Sequence, residues 1–314
     1  MRKTGLFFLF GLALLAGQAQ TVSKADLVNT LMGTDSRPSL SNGNTYPAIG
    51  TPWGMNYWTP QTGKNGDGWQ YTYGAEKIVG FKQTHQPSPW MNDYGVFSIM
   101  PTTAGLKWKE ADRASWFSHK AEEARPYYYK VYLADADVTT ELTATERAAF
   151  FQINFPRSDS ASVVIDAFDK GSYIKIIPGQ RKIIGYSTRY RRGKLINFKN
   201  YFVIYFDKPF AYNKTIGETG DLLDSSEITN SHALAVLGFK TAKGEKVHCR
   251  VASSFISFEQ AEQNLKELGA TRSFDAVKAE AKAKWEKALN AIQVEGASDE
   301  QLRTFYSCLY RTVM

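Results

Sequence analysis

The sequence predicts a mainly β protein, a large antiparallel sandwich followed by a short run of helices. Three observations lead there. Between residues 53 and 255 the chain divides into about eleven short apolar or alternating runs, each closed by turn residues. No helical period falls between them, which argues against an alternating β–α architecture. After residue 257 apolar residues recur at three- and four-residue steps instead.

The elements follow in chain order. Arg2 and Lys3 precede an apolar stretch from Leu6 to Leu15, and Gly17 and Ala19 are the small residues expected before a cut after Ala19. This predicts a signal peptide over 1–19 and an exported chain, periplasmic or extracellular. The apolar stretch is short for a bilayer span and no Cys follows it, so no membrane anchor is expected. Strands are expected at 78–84 and 94–100, then as a meander at 127–133, 138–145 and 148–155. Six more are expected at 163–168, 173–177, 182–190, 197–206, 233–239 and 247–255. Asp169-Lys170-Gly171, Arg192-Gly193 and Thr241-Ala242-Lys243-Gly244 supply turns.

Ser257 or Phe258 opens a helix that closes near Gly269, and a second helix begins after Ser273. Phe274, Val277, Ala281, Trp285, Ala288, Leu289 and Ile292 give it one apolar stripe. Ser298 and Gln301 form a capping box for a last helix, with Asp299 and Glu300 in the first turn. Its apolar face is Leu302, Phe305, Tyr306, Leu309 and Val313. No Gly or Pro stops it, so its stripe is expected to be left uncovered at Met314, as the first helix of a truncated helical domain. The alternative is a terminal helix docked on the sandwich. The expected division is 20–256 sandwich, 257–296 linker helices and 297–314 the start of that further domain.

The chain has 314 residues, 43% hydrophobic and 22% charged, enough to bury a sizeable core. Loss of Arg2 and Lys3 with the leader lowers the formal charge from +7 to +5. Arg181, Lys182, Arg189, Arg191, Arg192, Lys194 and Lys199 concentrate the surplus. They read either as a polyanion site or as solvated strands around a hairpin tip at 191–194. No nucleic-acid motif accompanies them, which favours the strands. Cys249 and Cys308 have no metal-ligand spacing, and two buried thiols are expected rather than a disulfide.

Residues 42–101 are the most informative. They run NGNTYPAIGTPWGMNYWTPQTG, GDGWQYTYG and IVGFKQTHQPSPWMNDYGVFSIMP. Glycine and proline shape tight loops, and tryptophan and tyrosine offer flat apolar faces with a polar edge. Such a surface suits a sugar ring. His119, His232 and His248 fall in expected strands or turns and carry no functional assignment.

The order of motifs resembles the N-terminal β-sandwich domain of glycoside hydrolase family 92, bacterial exo-α-mannosidases. Val28-Asn29-Thr30-Leu31-Met32-Gly33-Thr34, Pro52-Trp53-Gly54-Met55 and Thr59-Pro60-Gln61-Thr62 match its opening motifs in turn. Gly68-Trp69-Gln70-Tyr71, Ile78-Val79-Gly80-Phe81-Lys82-Gln83-Thr84-His85, Asp93-Tyr94-Gly95 and Met100-Pro101 complete the series. Phe305 to Thr312 is similar to the helix that leads into the family's catalytic domain. The resemblance implies a galactose-mutarotase-like supersandwich joined by linker helices to an (α/α)6 barrel absent from this chain. That barrel would bring the acid, the base and the ligands of an essential calcium ion. It also implies inverting hydrolysis of terminal α-mannosides and a mannose-containing glycan as partner. By position, Trp69 would stack on a sugar and His85 would donate to a hydroxyl. Asp93 and Tyr94 belong to the same motif, and Trp90 is a further pocket or packing aromatic. No catalytic or metal residue is expected in the chain itself. It departs from the family pattern at Gln83, at 86–90 and at Val96, all expected in the pocket wall. Two other classes of function remain open on the residues alone: a free-standing carbohydrate-binding module and a structural sandwich for protein interaction.

Overall fold

Two antiparallel sheets face each other, and helices cover the outer face of the larger one. The computed structural model describes residues 22–36, 43–63, 70–85, 93–190 and 195–314. The expected signal peptide, Trp69, Trp90 and the 191–194 hairpin tip lie outside the described residues. The first nine strands are β1 Tyr57–Gln61, β2 Lys77–Ile78, β3 Gly80–Thr84, β4 Ser98–Thr102, β5 Ser115–Trp116, β6 Glu123–Arg125, β7 Tyr128–Leu133, β8 Val138–Ala144 and β9 Ala148–Phe155. The rest are β10 Ser158–Asp166, β11 Ser172–Ile177, β12 Lys182–Ser187, β13 Asn200–Phe206, β14 Tyr212–Ile216, β15 Leu222–Leu223, β16 Glu227–Asn230, β17 Leu234–Thr241 and β18 Glu245–Ser254. The helices are α1 Lys24–Leu27, α2 Glu110–Arg113, α3 Phe258–Leu265, α4 Phe274–Leu289 and α5 Asp299–Thr312.

A seven-stranded sheet runs β1-β3-β4-β10-β17-β14-β15 and a nine-stranded sheet runs β16-β11-β12-β13-β18-β9-β8-β7-β6, with β2 and β5 as a separate ribbon. This is the expected antiparallel sandwich. Trp58 joins the two sheets, edge-on to Phe97 at 5.5 Å and to Phe151 at 5.1 Å. Strand β9 shows why part of the sequence lacks alternation. Its core-facing residues, Phe151 and Ile153, point between the sheets. Phe150 points the other way, 5.6 Å from Phe274 of α4. A strand covered on both faces reads as a continuous apolar run.

All three late helices start where their caps predict. Ser257, Ser273 and Ser298 each accept from a backbone N–H three residues on, and Gln301 completes the capping box of α5. Gly269, at φ +65°, ends the turn after α3. The stripes differ from expectation. Phe274, Val277, Ala281, Trp285 and Leu289 are buried beneath α4, and Ile292 is exposed because the helix stops at Leu289. Helix α5 is docked rather than bare, with Tyr306 and Tyr310 buried and Leu302, Phe305, Leu309 and Val313 partly so.

The docking has a polar cause. Residues 46–50 run extended, so alternate carbonyls face one way. Those of Tyr46, Ala48 and Gly50 accept from Arg311 Nη1 (2.9 Å), Tyr310 Oη (2.6 Å) and Trp285 Nε1 (2.9 Å). Ile49, between them, exchanges both backbone bonds with Trp58 of β1.

Three further expectations change. Pairing of the 94–100 strand begins only at Ser98, because the chain first turns through Asp93 and Gly95. The short, polar β14 and β16 gave no periodic signal. Both cysteines are free, but Cys308 is exposed on α5 while Cys249 is buried.

At one end of the sandwich Arg113 reaches Asp166 at 2.8 Å, both side chains 1% exposed, and His232 Nε2 lies 2.7 Å from the other Asp166 oxygen. Burial pushes the Asp166 carboxyl up, but Arg113 and His232 outweigh it and hold the group well below the usual carboxylate range. Burial pulls His232 down, and the Asp166 bond outweighs that, so its net shift is upward.

Tyr310→Phe removes the donor to a buried carbonyl and should cost about 1–3 kcal/mol in urea unfolding. Trp285→Ala should cost about 3–5 kcal/mol in the same assay. The His232 contribution is complete below its ordinary value of 6.5 and fades as pH rises through the raised one. Asp166 contributes above its ordinary 3.8 and loses that only as pH falls further. The stability gap between wild type and His232→Gln should therefore be widest between those two values and narrow above neutral pH. A gap that grows with pH would contradict the pairing.

Candidate functional site

Strand β3 leaves its sheet at Thr84, and His85, Asp93 and Tyr94 come together where the chain returns. The Asp93 carboxylate, 1% exposed, accepts the backbone N–H of His85 at 3.2 and 3.3 Å and that of Tyr94 at 2.8 Å. This local capture is what a short acidic side chain does best in a turn. Gly95 then takes φ +59°, a conformation open to glycine at no steric cost. A Cβ there would stand 2.6 Å from Asn200 Cβ.

His85 is the chemical centre. Its side chain is 2% exposed, and Nδ1 lies 3.0 Å from the Tyr94 carbonyl but 3.8 Å from Asp93. A carbonyl only accepts, so Nδ1 carries the proton. Burial pulls the ring's pKa down, against the opposing pull of Asp93 and the Tyr94 carbonyl, and the net shift is downward. The ring is therefore neutral at pH 7 and Nε2 is a bare acceptor. Nε2 is buried and has no hydrogen-bond partner among the described residues. An orphaned buried acceptor costs about 1–3 kcal/mol, so it marks a place where a donor belongs. The motif resemblance expects His85 to donate to a hydroxyl, whereas this geometry lets it accept from one.

Aromatic rings surround it. Tyr94 stacks on the imidazole at 5.0 Å and 18°, and Phe255 lies at 5.2 Å. Phe198 touches Tyr94, Phe255 and Tyr190. Phe255 is itself exposed, as are Leu195, Ile196 and Ile256, near Phe198 and Phe255 in the chain. Trp69 and Trp90, the other two expected contacts, lie outside the described residues.

Two departures from the family pattern prove not to be pocket wall. Gln83 is 1% exposed, bonded to Asn200 and Ser253 between the sheets, and Val96 is fully buried. Alternation along β3 and the turn at Gly95 point both inward. Phe198, Asn200 and Phe255 were not read as site residues. They sit more than a hundred residues from His85, and only strand pairing brings them there. The residues that could hold a calcium ion are not among these. Among the described residues no three His, Cys, Asp or Glu side chains converge so as to hold a metal. Among the described residues the site sets a ring-nitrogen acceptor beside an apolar face, with no free pair of carboxyls.

Comparison with known proteins gives the family and agrees with the fold. The model of the Glycosyl hydrolase family 92 N-terminal domain matches residues 27–254, and that of the family 92 catalytic domain matches 260–314. A family 92 inverting mannosidase of Bacteroides thetaiotaomicron is 45% identical, with a TM-score of 0.89, over 94% of this chain and 40% of that one. A second α-mannosidase of that organism, solved with mannoimidazole, is 28% identical with a TM-score of 0.82, over 93% of this chain and 40% of its own. An uncharacterized secreted glycosidase of Arthroderma benhamiae is 23% identical over 91% of this chain and 41% of its own. The chain thus spans about two-fifths of each relative. Among the described residues no helix is long and apolar enough to cross a membrane.

Gly95→Ala should cost about 1–3 kcal/mol in urea unfolding, since it meets both a left-handed φ and the Asn200 side chain. A neutral substitution would contradict the turn.

Proposed function

The chain belongs to glycosyl hydrolase family 92, and on that premise we propose that it is the recognition wall of an exported glycosidase that removes terminal α-linked mannose from glycans. The observation that carries this is the bare, buried Nε2 of His85 lying against stacked aromatics. A pyranose offers hydroxyl donors on its edge and an apolar C–H face, which match those two features. The mannosidase relatives support the substrate class, and the fungal relative's name supports export, to a periplasm or beyond the cell.

The wall does not perform the hydrolysis. Inversion requires a protonated carboxyl and a second carboxylate about 6.5–9.5 Å apart across the sugar. Three buried carboxylates are already committed elsewhere. Asp93 binds two backbone N–H groups. Glu122 takes Tyr71, Tyr129 and His119, and Asp166 takes Arg113 and His232. We therefore place the acid, the base and the calcium ligands in a helical domain beyond this chain. Residues 20–256 would form the recognition sandwich, 257–296 the linker and 297–314 the lead into that domain, which is this wall's partner.

In the whole protein, His85→Ala should lower kcat/KM on an aryl α-mannoside about tenfold or more, the equivalent of one lost hydrogen bond. Residues 1–314 alone should show no turnover. Activity of the isolated chain would overturn the placement of the acid and base, and unchanged kinetics of His85→Ala would overturn the recognition role.

A further inference from the structure

We infer that Asn200 is a positioning residue that holds His85 in the one neutral tautomer able to accept a hydroxyl. The value of that tautomer rests on the glycan reading above; the clamp that sets it does not.

The clamp is a closed ring of contacts. His85 Nδ1 donates to the Tyr94 carbonyl at 3.0 Å, and the next carbonyl, that of Gly95, accepts Asn200 Nδ2 at 2.5 Å. The same Nδ2 donates to Gln83 Oε1 at 2.9 Å. Gln83 lies two residues before His85, which closes the ring. The Gly95 N–H is held by the Arg189 carbonyl at 2.8 Å. Both peptides flanking Gly95 are thereby anchored, one to the end of β12 and one to the start of β13, and the left-handed turn between them cannot rotate freely.

The orientation of Asn200 is also determined. An amide nitrogen carries two hydrogens, and both face acceptors here. The Gly95 carbonyl can only accept, so it fixes Asn200 Nδ2; Gln83 must then turn Oε1 to that nitrogen, leaving its Nε2 to donate to Ser253 Oγ at 2.9 Å. A flipped Asn200 would set its oxygen against two other oxygens. Asn200 is fully buried and paired with Ser187 in the nine-stranded sheet, whereas His85 follows a strand of the other sheet. One sheet thus fixes the carbonyl that decides the tautomer of a ring on the other. The alternative tautomer would place a bare Nδ1 against the Tyr94 oxygen, lone pair to lone pair.

The chain has four histidines, so 15N-histidine labelling of the folded chain gives a readable long-range 1H–15N spectrum. Wild type should show His85 with a protonated Nδ1 and a bare Nε2. Asn200→Leu is nearly isosteric and carries no donor. At pH 7 it should move the His85 nitrogens towards a tautomer average while His119, His232 and His248 keep their shifts. A pure Nδ1–H tautomer in Asn200→Leu would overturn the inference. Should that variant fail to fold, Gln83→Leu removes the guiding oxygen alone and should give a smaller loss of tautomer purity at His85; no loss there would overturn it as well. Methyl α-mannoside, added to wild type, separates the two ideas. An Asn200-dependent tautomer that ignores the sugar supports the clamp and defeats the glycan contact.

Discussion

Three main-chain carbonyls hold the molecule's layers together. The extended segment 46–50 presents alternate oxygens to the helices and its intervening residue to β1. Each oxygen is buried, and each is met by a side-chain donor from α4 or α5. Burial without a partner is costly for a carbonyl, so the helices can close over this segment only by bringing these three donors. The same segment reaches the site, for the Tyr46 side chain lies beside Thr84, the residue just before His85. The recognition turn is therefore braced from the helical layer as well as from both sheets.

Polar burial follows a pattern. The fully apolar region lies between the sheets, and two clusters of buried polar groups sit at one end of it: Arg113, Asp166 and His232 in one, Gln83, Asn200 and Ser253 in the other. Such groups are tolerable where their donors are placed, as both hydrogens of Asn200 Nδ2 are, and a polar network specifies one arrangement more sharply than apolar packing does. The ion-paired cluster sets the end of β10, while the neutral amide cluster sets the turn at Gly95.

Much of the fold was legible because local signals agreed with tertiary ones. Strand β9 was found with its observed ends, and α3, α4 and α5 were found from their serine caps. Strands β14 and β16 were not, because short polar strands at or next to a sheet edge owe their shape to neighbours rather than to periodicity. The burial of the α5 face was missed for a related reason. Its anchors are carbonyls of residues 46 and 48, which leave no trace in side-chain pattern. In the site, His85, Asp93 and Tyr94 were legible from one compact motif. Asn200 and Phe255 were not, since nothing near them in the chain predicts which turn they will meet. The inward course of Gln83 and Val96 likewise depends on where β3 ends and where Gly95 turns.

The two-sided burial of β9 removes information that most strands carry. In a strand with one wet face, a slip of one residue drives apolar groups into water and is rejected at once. In β9 the adjacent Phe150 and Phe151 would merely exchange layers, so hydrophobicity alone cannot choose between registers there. The choice falls to a row of polar neighbours. Gln152 lies opposite Glu141 on one side and His248 on the other, and donates to Glu141 at 2.7 Å. A one-residue slip would carry that amide into the hydrocarbon interior. A single glutamine thus supplies the alignment signal that the apolar residues around it cannot.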